Sequence, residues 1–157
     1  MSARYHTIVL PTRPQPDTLV AIFILREFGE TKFPGVTSAK IECWQVLPAG
    51  ETDALLDAKG VIILDIGAGR FDHHGATIKT TASDLVAQYL GVQNDSALVK
   101  LLEYARRDDF FGKGTISTDP LDRAFGLSAL VAALNKSLVK NPGRVVEQGT
   151  IVTEAPV

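Results

Sequence analysis

The chain has 157 residues, 45% of them apolar and 22% charged, with a formal charge of −2. That length fits one domain with a sizeable core, and the charge supplies no global basic field for nucleic acid. A single cysteine, Cys43, excludes an internal disulfide and a thiolate metal cluster; its apolar setting suggests a buried, inert thiol.

Met1 to His6 lacks the basic-then-apolar order of a signal peptide, and no apolar stretch approaches the ~20 residues of a membrane span. The expectation is a cytoplasmic protein with no membrane partner. Thr7-Ile8-Val9-Leu10, ended by Pro11, reads as a buried strand. Pro14 and Pro16 then force an extended loop. Asp17 precedes a run through Phe28 that is apolar nearly all round, so a buried helix is expected, ending at Gly29. Asp17 is either the N-cap of that helix or a ligand.

Ala39 to Val46 alternates polar and apolar residues, as a strand with one buried face does. Thr52 to Asp57 carries a short helical pattern. Val61-Ile62-Ile63-Leu64 is apolar on both faces, which suggests a central parallel strand. Asp65 stands at its carboxyl end, where open α/β sheets place ligands. A glycine-rich turn follows, and then Asp72-His73-His74-Gly75. The chain holds three histidines, and two of them are adjacent here. Carboxylate oxygen and imidazole nitrogen at a strand's end are donors for a divalent metal. The bland alternative is a solvated turn.

Thr81-Ala82-Ser83 caps a helix that closes at Gly91. Asn94-Asp95 opens another, with Leu98, Leu101, Leu102 and Ala105 on one face, running to about Arg107. Asp108-Asp109 follow. Acids at a helix's carboxyl end oppose its dipole, so they form either an exposed turn or a further metal ligand. A long helix is expected over Pro120 to Leu138, stopped by Asn141-Pro142-Gly143, and a weak, fading helix over Arg144 to Val157. Strands alternating with helices, then helices only, indicate an α/β fold: a three-layer sandwich with a mostly parallel sheet and a helical C-terminal half. Asp17, Asp65, Asp72-His73-His74 and Asp108-Asp109 can then converge at one sheet edge. Such carboxylates argue for a bound Mn²⁺ or Mg²⁺, or for Arg13 and Arg70 as counter-charges.

These residues resemble the DHH phosphoesterase superfamily, which includes RecJ-like exonucleases, family II inorganic pyrophosphatases, oligoribonucleases and Myg-type nucleases. Asp72-His73-His74 is similar to the naming motif, and Asp65 to the second motif. Thr81 to Val86 resembles the small-hydroxyl helix start that follows the triplet. Asp108-Asp109 falls where the fourth acidic motif belongs. The first motif departs from the pattern: where the family has His, Asp and Asp, this chain has Arg13, Asp17 and Leu19.

The resemblance implies metal ligands in Asp65, His73 and Asp109 or Asp108, with Asp17 and Asp65 kept from the first site, and a single ion or a weakened pair. It implies His74 as a phosphate contact or a proton donor to a leaving oxygen, with Asp72 orienting an imidazole. Arg13 is expected to act in catalysis or grip phosphate, and Arg70 and Lys113 are either phosphate contacts or simply solvated. The implied partner is a phosphate-containing small molecule or short nucleic acid. The chain reads as a single domain over residues 1–157, without the family's second, substrate-gripping domain, so that a homodimer could cover the cleft. The implied function is hydrolysis of a phosphodiester or phosphoanhydride by metal-activated water. The alternative is a degenerate member, a nucleotide-, metal- or protein-binding module without turnover.

Overall fold

The computed structural model describes residues 4–111, 118–121 and 126–154. The expectations placed on Lys113 and on residues 122–125 and 155–157 fall outside the described residues. Three strands, β1 (Thr7–Pro11), β2 (Lys40–Trp44) and β3 (Val61–Ile63), form one parallel sheet in the order β2-β1-β3. Ile8 stands beside Ile41 on one side and Ile62 on the other. The fold is therefore α/β with a parallel sheet.

Alternation along the strands divides the apolar residues between two faces. Ile8, Leu10, Ile62 and Leu64 enter the main core. Val9, Val61 and Ile63 enter a smaller cluster with Leu56 of helix α2 (Asp53–Ala58). This double burial is why β3 has no polar residue. It does not make β3 central, as its sequence suggested: among the described residues β3 pairs only with β1, and β1 is the middle strand. The two faces of β3 are buried in two apolar clusters, which does not require strand neighbours on both sides.

Helix α1 (Pro16–Phe28) lies under the main core, buried from Pro16 through Leu25. Its N-cap is Gln15, whose backbone N–H donates to Thr18 Oγ1 at 3.0 Å, so Asp17 is not the cap. Against α1 pack α3 (Ala82–Leu90), α4 (Val99–Phe111), α5 (Leu127–Ser137) and α6 (Pro142–Glu154). Helix α3 begins and ends as its sequence indicates. Thr81 Oγ1 accepts from the Asp84 N–H at 3.1 Å, and Gly91 closes the helix at φ +73°.

Several helix boundaries differ from expectation; the helix expected from Pro120 to Leu138 is α5, which begins at Leu127 after its N-cap Gly126. Asp95 caps a turn ahead of α4, its side chain accepting from Ala97 N–H, and the helix proper starts at Val99. Helix α4 also runs past Arg107 to Phe111, so Asp108 and Asp109 are helical residues, not an exposed turn. Pro142, read as a stop, is instead the first residue of α6, a position where its missing N–H costs nothing. No helix among the described residues is long and apolar enough to cross a membrane.

Parallel strands deliver the loops after β1 and β3 to one edge. The first carries Arg13 and leads to Asp17; the second carries residues 65 to 74.

Candidate metal centre

The loop after β3 doubles back on itself. Asp65 N–H donates to Phe71 O at 3.0 Å, and Asp72 N–H to Gly69 O at 3.2 Å. This return brings His73 beside the strand end that carries Asp65. The turn requires left-handed backbone at Gly67 (φ +77°) and, less comfortably, at Asp65 (φ +61°) and Ala68 (φ +54°). A side chain at Gly67 would also strike Leu47, whose Cδ1 lies 2.5 Å from the Cβ position. Strain at Asp65 is tolerated because aspartate is among the residue types that visit this region, and because the loop's closing hydrogen bonds hold it there.

His73 Nε2 lies 3.0 Å from Asp65 Oδ1, 3.7 Å from Asp109 Oδ1 and 3.9 Å from Asp17 Oδ2. His73 Nε2 and Asp65 Oδ1 are both buried, and neither has a hydrogen-bond partner. Buried polar atoms are rarely left in that condition, because each forfeits the water it had in the unfolded chain. The His73 and His74 rings stack at 4.5 Å. Two donor sets emerge, Asp65–His73–His74 and Asp17–His73–Asp109, the ligand atoms of each set lying within 4.8 Å of one another.

Asp17 is tied elsewhere as well. Its Oδ2 accepts from Ala82 N–H at 2.9 Å, and its Oδ1 from Ser83 N–H at 2.9 Å and Ser83 Oγ–H at 2.6 Å. The carboxylate therefore sits on the N-terminus of α3, where free amides and the helix dipole favour negative charge. Asp72 has a distinct job. Its Oδ2 accepts from Ala68 N–H at 2.8 Å, while its Oδ1 accepts from His74 N–H at 3.0 Å and lies 2.7 Å from His74 Nδ1. It fixes both the loop and the imidazole's orientation.

The electrostatics follow from burial and crowding. Burial, with Asp17, Asp72 and Asp109 nearby and only His74 opposing, pushes the Asp65 carboxyl up to about 8. Burial also raises Asp17 against the lowering effect of its Ser83 and Ala82 hydrogen bonds, and Asp109's charge adds to the rise. Asp109 is raised by burial and by Asp108, with His73, His74 and Lys79 opposing. Burial pulls His74 down, but the Asp72 hydrogen bond and the charges of Asp65, Asp72 and Asp109 outweigh it and raise the imidazole. Burial raises Asp72 too, yet the hydrogen bonds from His74 and Ala68 and the His74 charge leave it below the ordinary carboxylate range.

The remaining expected residues divide. Asp109 reaches His73, whereas Asp108 has Ser128 as its side-chain partner and is raised chiefly by burial. Arg70 pairs with Asp57 and, at 3.7 Å, with Asp53; it also donates to Tyr89 Oη at 3.1 Å and lies over the Phe33, Phe71 and Tyr89 rings. It is a structural clamp holding the loop to α2, not a solvated cation. Arg13 makes no ion pair with these carboxylates among the described residues; it lines a pocket with Thr12, Asn135, Leu138, Val139 and Pro142. Leu19 is fully buried, and its Cδ1 lies 2.6 Å from where a Cβ on Gly149 of α6 would stand.

Sequence reasoning missed two supports. Arg106 donates from Nε and Nη2 to the buried Asp84 carboxylate, at 2.6 to 3.1 Å, tying α4 to the start of α3. Arg106 lies three residues before Asp109, on the same side of α4. Lys79 lies 4.4 Å from the Phe110 ring centre and pins the loop after the triplet to the end of α4. A helical i, i+3 spacing between Arg106 and Asp109 was readable; the partner Asp84 was not. The chain matches no protein-family model, no curated protein and no solved structure.

Proposed function

We propose that this chain is a DHH-type phosphoesterase domain, a three-layer α/β sandwich that binds one Mn²⁺ or Mg²⁺ and hydrolyses a phosphodiester or phosphoanhydride. The observation that carries the reading is the pair His73 Nε2 and Asp65 Oδ1, 3.0 Å apart, buried and without hydrogen bonds. A divalent cation beside the two atoms would satisfy both at once, in place of the proton that the crowded carboxyl otherwise retains. Carboxylate oxygen and imidazole nitrogen suit a hard or borderline divalent ion.

Asp65, His73 and Asp109 would hold the ion, with Asp17 and His74 at its margin. A bound ion supplies Lewis acidity toward a phosphoryl oxygen and lowers the pKa of a water. The chain's own groups do the rest. His74, raised toward a protonated state and with most of its side chain exposed, can hold a proton for a leaving oxygen. Asp72 orients that ring through Nδ1, leaving Nε2 to face the substrate. Asp17 carries the charge of the cluster to the α3 amides.

A second reading, binding of a nucleotide or metal without turnover, is favoured by Leu19. The family's second first-motif acid is here a leucine packed against α6, which removes a ligand for a second ion. Calorimetric titration with Mn²⁺, paired with hydrolysis of bis(p-nitrophenyl) phosphate, separates the two. Ion binding that disappears in His73→Ala together with turnover supports the first reading. Ion binding without hydrolysis supports the second. Ion binding unaffected by His73→Ala overturns the site in both.

A further inference from the structure

Next to the carboxylate–imidazole cluster lies a pocket of about 490 Å³. Pro11, Val46, Leu47 and Ile66 give it apolar walls, Gln45 gives it one amide, and His74 stands at its acidic end. That volume is within the usual range of small-molecule sites, about 300–1,000 Å³. We propose that this pocket is a subsite for the heterocyclic base of a nucleoside monophosphate, whose phosphate would lie at the His74 end; only that placement of the phosphate rests on the metal-centre reading.

The lining decides the class of ligand. Among the described lining residues there is no Lys or Arg; the ionisable groups, Asp65, Asp72 and His74, belong to the cluster at one end, and the other walls carry no charge. A pyrophosphate or longer inorganic chain would fit only the His74 end, because the uncharged walls of Pro11, Val46, Leu47 and Ile66 could not neutralise further phosphates. A planar, uncharged ring suits them. Its faces take the apolar walls, and its polar edge takes the Gln45 amide, which both donates and accepts. Val46 is 73% exposed, a large apolar side chain held open to solvent. Leu47 packs closely over Gly67 in the loop that carries Asp65, which joins wall and cluster. A ligand spanning both would meet a preorganised pair of subsites.

Trp44 is the sole tryptophan and packs, partly buried, in the cluster that includes Leu47 and Ile66, so its fluorescence reports on this wall without any turnover. The probes are adenosine 5′-monophosphate, inorganic phosphate and pyrophosphate, each titrated with and without Mn²⁺ into the full chain. The expected result is a Trp44 signal and an affinity for the nucleotide at least about tenfold above that for phosphate or pyrophosphate. Val46→Asp should weaken nucleotide binding about tenfold and leave phosphate binding as it was, since the exposed position leaves the core intact. Gln45→Ala should give a smaller loss, of about threefold. Equal affinity for nucleotide and phosphate, or a Val46→Asp protein within about twofold of the parent, overturns the subsite. Calorimetry with Mn²⁺ alone keeps the two readings apart. Selective nucleotide binding to a chain that takes no Mn²⁺ upholds the subsite and sinks the metal centre. Mn²⁺ binding with no preference for the nucleotide sinks the subsite alone.

Discussion

His73 Nε2 and Asp65 Oδ1 approach to 3.0 Å in a buried setting without forming a hydrogen bond. Asp65 reaches that position from a left-handed backbone conformation. His73 reaches it because the loop between them folds back and closes on Asp65 N–H. Losing either side chain should therefore remove ion binding more completely than losing Asp108, which faces Ser128. We expect His73→Ala and Asp65→Asn each to weaken Mn²⁺ affinity by about 100-fold or more, and Asp108→Asn by less than about tenfold. Isothermal titration of the three variants gives the ranking.

The metal-free protein should lose stability as pH rises. The Asp65 carboxyl goes from an ordinary 3.8 to about 8 on folding. Its protonated form is thus favoured in the native state. That contribution is complete below about pH 4 and is lost progressively as pH climbs through about 8. Thermal melts in chelator should show Tm falling from pH 5 to pH 9. Asp65→Asn should flatten the slope, and added Mn²⁺ should reverse it in the parent chain. A parent Tm that rises over this interval in chelator would contradict the burial of an unpaired carboxyl.

Leu19→Asp does not restore a second metal site. The side chain is fully buried and faces Gly149, so the new carboxylate would enter the contact between α1 and α6. We expect a loss of about 3 kcal/mol or more by urea unfolding, with Mn²⁺ stoichiometry no higher than in the parent. A gain of one bound ion would show that the position faces the cluster after all.

The Arg106–Asp84 pair ties α4, which carries Asp109, to the start of α3. Asp84 is buried, whereas the Arg106 side chain is 40% exposed, so solvent screens part of the pair. Asp84→Asn should cost about 1–2 kcal/mol and should also weaken Mn²⁺ binding, although Asp84 is no ligand. Arg107→Ala, which removes an exposed pair with Glu103, serves as the control and should change neither. Equal effects from the two variants would leave α4 placed by its apolar face alone.

Much of the frame was legible because it depends on local rules. Apolar runs marked β1 and β3, and alternation marked β2. Thr81 and Gly91 bounded α3 because a cap hydroxyl and a left-handed terminus are properties of a few adjacent residues. Asp65 and His73 were recognisable for the same reason: strand, glycine turn and ligands are contiguous.

The residues that misled were those whose partners are remote in sequence. Asp17 reads as a cap for its own helix or a ligand; it caps α3 instead, from 65 residues away, and also stands in a donor set with His73 and Asp109. Arg70 looks like a free phosphate contact, but three rings and two carboxylates enclose it. β3 looks central, but among the described residues it has one strand neighbour, and two apolar clusters bury its two faces.

Sequence by itself determined which side chains could serve a cation and which loop carries most of them. Only the tertiary structure decided which of them meet. Asp108 and Asp109 have the same charge and differ by about 100° around one helix, so the choice between them belongs to the docking of α4. That docking draws on the apolar face of α4 in the main core and on the Arg106–Asp84 pair, which no local pattern links. A ligand type is a property of one residue, but a site is a set of distances, and distances between remote residues exist only once the core has closed.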